Sequence, residues 1–169
     1  MNFPSNINKL EVFREVQNWL ENQEFILTKR DDTRPWGGFF YIDEGQSKKF
    51  ISIFFPHLSL DDFRGFDKLS PKILLVAPEK RLSWQYHHRR SEIWKVVLGK
   101  AGVVVSDTEE ETPLRTLDVG TVINLKQGQC HRLIGLDEWG IIAEIWQHTD
   151  SSNPSNEDDI VRLQDDFGR

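Results

Sequence analysis

Two kinds of hydrophobic spacing divide this sequence. Between residues 6 and 22, apolar side chains recur at helical spacing with charged residues between them, which predicts an amphipathic helix. Its expected role is to cover one face of a sheet or a partner subunit. Beyond it, apolar residues alternate with polar ones or form short β-branched runs between turn-rich segments. The pattern predicts a sheet protein with one short helix in front.

The predicted strands are short and evenly spaced along the chain. The segments 39–45 and 48–55 are interpreted as two strands joined by a polar loop around Gly45. By composition alone, residues 157–169 form an acidic, partly helical tail. Many short strands with turns between them predict an all-β, antiparallel double-sheet barrel. Its further strands are expected over 72–77, 92–99, 120–125 and 140–147, around His131, and on both sides of an acidic turn within 101–117.

The composition of the chain mainly excludes certain classes of function. A length of 169 residues suits one domain, and a net charge of −6 argues against nonspecific binding to nucleic acid or to anionic membranes. No apolar run approaches the ~18 residues of a membrane span, and no signal peptide is visible, so we expect a cytoplasmic protein. The single cysteine, Cys130, cannot form an internal disulfide. We interpret it as a small buried side chain.

Metal-ligand residue types gather in the segment 85–92. On an extended strand, Gln85 and His87 point to the same face, and a turn through 88–91 would bring Glu92 to the same point. An amide oxygen, an imidazole nitrogen and a carboxylate form a mixed set suited to a divalent metal. A fourth ligand must then come from another segment.

The spacing resembles the paired motifs of the cupin superfamily. The first, G(x)5HxH(x)4E(x)6G, has glutamine in the first histidine position here, and the second is G(x)5PxGxxHxxxN. The resemblance implies a cupin double-stranded β-helix, or jelly-roll barrel, with the metal inside near one mouth. It also implies His131 as the fourth ligand. The matching residues are Gln85, His87, Glu92 and Gly99 in the first motif, and Gly120, Gly128 and His131 in the second.

Three further segments resemble the type II mannose-6-phosphate isomerases. They are RPWG at 34–37, LSxQxH at 82–87 and EDDIVRxxDxYGR at 157–169, where phenylalanine replaces the tyrosine. We expect an N-terminal helical arm over 1–30 and a cupin domain over 31–169, with an insertion or lid at 57–70. The glycine-rich nucleotide loop of the guanylyltransferases that carry such domains does not occur in these residues, so nucleotidyl transfer is not expected.

This family resemblance implies a reaction and a role for several side chains. Mannose-6-phosphate and fructose-6-phosphate would interconvert through a cis-enediol, with zinc as the first choice of metal and iron, manganese, nickel or cobalt as alternatives. Arg162 is expected nearest the enediolate or phosphate, with Lys72 and Arg90 as further phosphate contacts. Glu144 shares a strand face with Ile142 and Trp146, opposite an apolar face, so we expect it inside the barrel. It would be the proton-transfer base or a carboxylate that orients a metal ligand.

Two departures from the family keep alternatives open. Arg89 and Ile93 occupy positions where the family segment QxHxHRxEHW has histidines. Another sugar phosphate, such as a heptose or pentose phosphate, is therefore an alternative substrate, and a non-catalytic, metal-containing sugar-phosphate binding cupin is an alternative function. A metal-dependent oxygenase is a third reading, against which the Gln85 ligand argues. A homodimer that uses the N-terminal helix as an arm is also open.

Overall fold

Two antiparallel β-sheets form the body of the protein, in a computed structural model that describes residues 3–63, 65 and 68–168. The first sheet has the strand order β1-β2-β3-β10-β5-β8 and the second the order β11-β4-β9-β6-β7. The predicted double-sheet jelly roll is therefore confirmed. The strands are β1 (Leu27–Asp31), β2 (Gly37–Ile42), β3 (Lys72–Val76), β4 (Trp84–Tyr86), β5 (Arg90–Leu98), β6 (Ala101–Ser106), β7 (Arg115–Leu117), β8 (Val122–Leu125), β9 (Cys130–Gly135), β10 (Gly140–His148) and β11 (Val161–Gln164).

The first sheet has a different hydrophobic core on each face. Because successive side chains of a strand point to opposite faces, Ile141 and Ile145 of β10 pack on the outer side, against the helices. Ile142 of the same strand packs between the two sheets. The alternation predicted for this strand is confirmed, and it leaves Glu144 and Trp146 on the inner face.

Helix α1 (Lys9–Asn22) covers the outer face of the first sheet, and it is the predicted helix. It begins after Asn8, whose side chain accepts a hydrogen bond from the Leu10 backbone N–H and so caps the first turn. Its buried side chains lie at helical spacing and join the outer core; they are Val12, Phe13, Val16 and Leu20. None of the described helices is long and apolar enough to cross a bilayer.

The segment 48–55 is a helix, so the strand predicted there is wrong. Helix α2 (Ser47–Phe54) follows a short 3-10 helix at Glu44–Gln46. Phe50 and Phe54 are one helical turn apart, and both rings contact Phe25. Packing against the rest of the outer core therefore decides the conformation of a stretch whose apolar residues have strand-like local preferences.

The interpretation of residues 157–169 as a partly helical tail is also wrong. Strand β11 runs antiparallel to β4, with Arg162 opposite Gln85. This pairing joins segments far apart in sequence, which local composition does not reveal. Of the predicted insertion 57–70, residues 64, 66 and 67 lie outside the described part, and Leu60–Phe63 form a 3-10 helix.

Gly37 sits where the start of β2 approaches β3. Its φ is +139°, and a Cβ built there would lie 1.9 Å from the backbone oxygen of Leu75. Gly120 also has a positive φ, +88°, but a Cβ there would meet nothing within 4 Å. Substituting each glycine by alanine therefore separates two costs: backbone strain alone at Gly120, and strain together with a clash at Gly37.

We expect Gly37→Ala to lower the free energy of unfolding by at least about 3 kcal/mol, because it adds a backbone clash to the strain. Gly120→Ala should cost only about 1–2 kcal/mol, the strain alone. Urea unfolding monitored by circular dichroism measures both values. Equal losses in the two variants would contradict the close approach of β2 to β3.

Candidate metal centre

Three buried side chains converge inside the barrel. His87 lies directly after β4, Glu92 lies on β5 and His131 lies on β9; each is at most 2% exposed. One nitrogen or oxygen atom from each lies within 4.8 Å of those of the others. A carboxylate and two imidazoles at this spacing can hold a divalent metal ion.

Backbone carbonyls fix the orientation of both imidazoles. The Nδ1 atom of His87 lies 2.5 Å from the Asp159 oxygen, and Nδ1 of His131 lies 2.9 Å from the Gln129 oxygen. Because a carbonyl oxygen only accepts, each Nδ1 donates, which leaves the Nε2 lone pair for a ligand. Burial lowers the pKa of both histidines, that of His87 to about 3. Both rings are therefore neutral and ready to coordinate.

Two buried atoms of the cluster have no hydrogen-bond partner among the described residues. They are Oε2 of Glu92 and Nε2 of His131, 3.6 Å apart. A buried acceptor without a partner is costly, and two facing each other repel. Burial alone would raise the pKa of Glu92, but neighbouring His87 and Arg90 outweigh it and hold this pKa below its ordinary value. The anionic, unpartnered donor set fits a bound cation.

Gln85 lies beside this cluster. It is directly opposite His131 across the β4–β9 pairing, so both side chains leave the sheet on the same face. Its Oε1 accepts a hydrogen bond from the Ser83 hydroxyl at 2.6 Å, and the residue lines the adjoining cavity. Its role as a fourth ligand stays a prediction.

Arg90 bridges two of the ligand residues. Its Nε donates to Glu92 Oε1 at 2.7 Å, and its Nη2 lies 3.0 Å from His87 Nε2. The guanidinium also lies over the Trp146 ring, 3.6 Å from the centroid. A metal bound through His87 Nε2 would replace that one contact of Arg90. The predicted phosphate contact of Arg90 stays a prediction.

A cavity of about 70 Å³ opens beside the cluster. Its lining contains every predicted substrate or catalytic residue, together with two residues of the predicted metal set. It also contains Glu157 and two residues of the RPWG segment, to which the sequence assigned no role. The lining residues used below are Lys72, Gln85, Arg90, Glu92, Glu144, Trp146, Glu157 and Arg162.

Glu144 is a second buried carboxylate with an opposite pKa shift. Its Oε1 accepts from the Trp94 indole N–H at 2.9 Å, and its Oε2 lies 3.5 Å from the Lys72 ammonium. Burial and the nearby charge of Glu92 raise the pKa of Glu144 to about 7. A carboxyl group with this pKa can give and take protons near neutral pH.

Arg89 and Ile93 both point away from the cavity. Ile93 packs in the outer core, on the helix side of the first sheet. Arg89 contacts Asn153 through its guanidinium and lies 3.8 Å from the Asp159 carboxylate. Neither Arg89 nor Ile93 is among the residues that line the cavity.

Asp159 is a functional residue that sequence reasoning missed. Its carboxylate accepts from the backbone N–H groups of His88 and Arg89, while its carbonyl orients His87. The Ser155 hydroxyl donates to the same carboxylate at 2.6 Å. The acidic EDDIVR segment carried a signal for this role, because a buried aspartate needs several donors.

The family profile described as "Mannose-6-phosphate isomerase C-terminal" matches residues 48–165. The chain belongs to this family. The resemblance expected from the LSxQxH and EDDIVR segments is thus confirmed. Membership agrees with a cupin barrel and with the possible His–Glu–His metal site; the identity of the metal stays a prediction.

Curated relatives of this chain are much longer proteins. The xanthan biosynthesis protein XanB of Xanthomonas campestris pv. campestris strain B100 is 34% identical over 137 residues, which cover 80% of this chain and 23% of XanB. The alginate biosynthesis protein AlgA of Pseudomonas aeruginosa is 33% identical over 136 residues, 80% of this chain and 22% of AlgA. The chain therefore spans less than a quarter of the length of either relative.

A solved structure supports the fold alone. The capsular polysaccharide assembling protein CapF from Staphylococcus aureus has a TM-score of 0.52 and 14% sequence identity, over 83% of this chain and 34% of CapF. At that identity, the likeness carries no information on activity.

We expect His131→Ala to weaken zinc binding more than about 100-fold, because it removes a ligand nitrogen from the cluster and offers no other donor. The exposed His57→Ala is the matched control and should bind zinc like the parent. Titration calorimetry on chelator-treated protein gives the affinity, and elemental analysis gives the metal content. Parent-like binding in the His131 variant would contradict the assignment of this centre.

The metal-free protein should lose stability as the pH falls from about 6.5 towards 4. Burial lowers the pKa of His87 to about 3 and of His148 to about 4, whereas both take up a proton near 6.5 in the unfolded chain. The unfolded state then binds more protons, so each histidine contributes a slope of up to about 1.4 kcal/mol per pH unit in this window.

Urea unfolding at several pH values in the presence of chelator measures that slope. His148→Gln should reduce the slope of the unfolding free energy against pH by the contribution of one histidine. The reason is that Nδ1 of His148 accepts a hydrogen bond from the Ser155 backbone N–H only when it is unprotonated. A stability that does not change between pH 7 and 4.5 would contradict the neutral, buried histidines.

Proposed function

We propose that this domain is a metal-dependent aldose–ketose isomerase of sugar phosphates that interconverts mannose-6-phosphate and fructose-6-phosphate. The observation that carries the proposal is the pairing of two carboxylates in one pocket. Glu92 is held anionic beside two neutral imidazoles, whereas the pKa of Glu144 is raised to about 7. This separation suits one metal ligand and one proton carrier.

His87, Glu92, His131 and Gln85 would hold the metal. When bound, it would supply a positive charge that polarises the substrate's carbonyl and hydroxyl oxygens. Zinc is the first choice for this ligand set, and iron, manganese, nickel or cobalt remain candidates.

Glu144 would carry the proton between C1 and C2. As the carboxylate, it takes the proton from C2 of the aldose, the C–H electron pair forms the C1–C2 double bond of the cis-enediol, and the C1 oxygen gains a proton from solvent. The C2 hydroxyl then loses its proton to solvent, its O–H electron pair forms the C2 carbonyl, and the electrons of the C1–C2 double bond take the proton back from Glu144 at C1, which gives the ketose. The proton gained at the C1 oxygen balances the one lost at the C2 oxygen, and Glu144 ends as the carboxylate. The Trp94 N–H, 2.9 Å from Oε1, fixes the orientation of this carboxyl group.

Two cations of the pocket suit an anionic substrate. Lys72 and Arg162 both line the cavity, and Lys72 is only 3% exposed. Arg162 has its place on β11 opposite Gln85, next to the metal centre. Its planar, permanently charged guanidinium suits either an enediolate or a phosphate.

We expect Glu144→Gln to lower kcat by about 10²–10⁴, the usual contribution of a positioned acid or base, and to leave metal content unchanged. The glutamine oxygen can still accept the Trp94 hydrogen bond. The exposed Glu110→Gln is the control and should keep parent activity. Unchanged turnover in the Glu144 variant would contradict its role as the base.

The test of the function itself is proton NMR of zinc-loaded protein in heavy water. Mannose-6-phosphate, glucose-6-phosphate and sedoheptulose-7-phosphate form the panel. Conversion is the expected result, with deuterium at C1 of a ketose formed from an aldose and at C2 of an aldose formed in the reverse direction, and the substrate that converts fastest is the assigned one. If none of them exchanges, while metal and sugar phosphate both bind, the result would contradict the isomerase activity and favour a non-catalytic sugar-phosphate binding cupin.

A further inference from the structure

Among the described residues, two aromatic rings and two carboxylates surround the side-chain ammonium of Lys72. Its ammonium lies 3.5 Å from the centroid of the Trp146 ring and 4.5 Å from that of Tyr41. Two carboxylates complete its surroundings: Glu157 at 2.6 Å and Glu144 at 3.5 Å. The lysine therefore lies in an aromatic cage that is closed by acids.

The two carboxylates hold this lysine in different ways. Glu144 is 4% exposed and keeps a second hydrogen bond from Trp94, so it is fixed inside the barrel. The side chain of Glu157 is 42% exposed and lies at the rim. One oxygen of Glu157, Oε1, accepts from both the Lys72 ammonium and the Tyr41 hydroxyl. Convergent donors on one oxygen are how proteins bind oxyanions.

The backbone on either side of Glu157 is anchored. Arg90 donates to the Ser155 hydroxyl at 2.8 Å and to the Asn156 carbonyl at 3.0 Å. On the other side, the buried Asp159 accepts two backbone N–H groups. Rotation of the Glu157 side chain into solvent would therefore release the Lys72 ammonium and the Tyr41 hydroxyl from this carboxylate without a movement of the segment, while Glu144 stays beside Lys72.

The cavity is small, so a ligand of ordinary size would need such a rotation of Glu157 in order to enter. About 70 Å³ is well below the roughly 300–1,000 Å³ of ordinary ligand pockets. Because Glu157 lines the cavity from the rim, removing its carboxylate would enlarge the cavity at the place where the cations face it.

We propose that Lys72 and Tyr41 form an anion subsite for a phosphate group, and that Glu157 is its internal occupant, displaced when the phosphate binds. The subsite would take a phosphate monoester or free inorganic phosphate. The inference rests on the proposed function for the identity of its natural ligand, a sugar phosphate, but not for the competition itself. Glu157 would set the affinity: its carboxylate must leave the ammonium before the ligand can enter.

The test is phosphate binding to the chelator-treated 169-residue chain by titration calorimetry. Inorganic phosphate and mannose-6-phosphate are the probes, and neither measurement needs turnover. Glu157→Gln should bind both at least about tenfold more tightly, because the competing charge is gone. Asp158→Asn is the matched control: it removes one negative charge from the exposed neighbouring residue and should change binding less than twofold.

Two further variants guard against a misfolded mutant. Glu157→Asp retains the charge on a shorter side chain and should bind phosphate with an affinity between those of the parent and Glu157→Gln. Lys72→Met, with nearly the same volume, should abolish the gain when combined with Glu157→Gln. Circular dichroism and thermal unfolding establish that each protein is folded.

The outcomes separate this inference from the proposed isomerase. Equal effects of Glu157→Gln and Asp158→Asn, or weaker binding in Glu157→Gln, would overturn the displacement, even if the parent isomerises a sugar phosphate. Tighter binding confined to Glu157→Gln would support it, even if no member of the sugar panel is converted. Tighter binding of inorganic phosphate but not of mannose-6-phosphate would retain the subsite and overturn the sugar phosphate as its ligand.

Discussion

The buried guanidinium of Arg90 connects the parts of this structure on which a function depends. One edge binds Glu92 and His87, the other reaches Ser155 and Asn156, and its face lies on Trp146. A buried charge is tolerated only when it is paired and hydrogen-bonded, and here the partners come from three separate stretches of chain. The same contacts that satisfy Arg90 therefore hold the ligand residues and the rim of the cavity in one arrangement.

The pairing of Arg90 with Glu92 also helps to give the two inner carboxylates, Glu92 and Glu144, different proton affinities. Glu92 has cationic and imidazole neighbours and stays anionic, whereas Glu144 is equally buried and lies beside that negative charge. Two identical functional groups thus acquire different proton affinities from their surroundings alone. The strand alternation of β10 is what places Glu144 on the inner face, while its neighbours Ala143 and Ile145 complete the outer core.

Most of the fold and much of the candidate metal centre could be predicted from the sequence. Alternation along β10 and the spacing of Gln85, His87 and Glu92 are local signals, and the structure brings the last two together with His131. Residues 48–55 were misread because their helix depends on aromatic contacts with Phe25, which no local preference encodes. The acidic EDDIVR segment indicates the role of Asp159 only in part, because the partners of this residue are not local. Its function lies in hydrogen bonds to residues about seventy positions earlier, which only the folded chain reveals.

The pairing of β11 with β4 has a consequence for how the protein is made. The segment that orients His87 and lines the cavity rim is separated from the metal-ligand segment by most of the barrel, as in the contact of Asp159 with His87 across 72 positions. Synthesis proceeds from the N-terminus, and pairings between distant segments form late and slowly. During translation, the sheets can assemble around an unfinished centre, in which the His87 imidazole still lacks the Asp159 carbonyl that orients it. The candidate metal centre is therefore complete only after residues 155–162 have been synthesised.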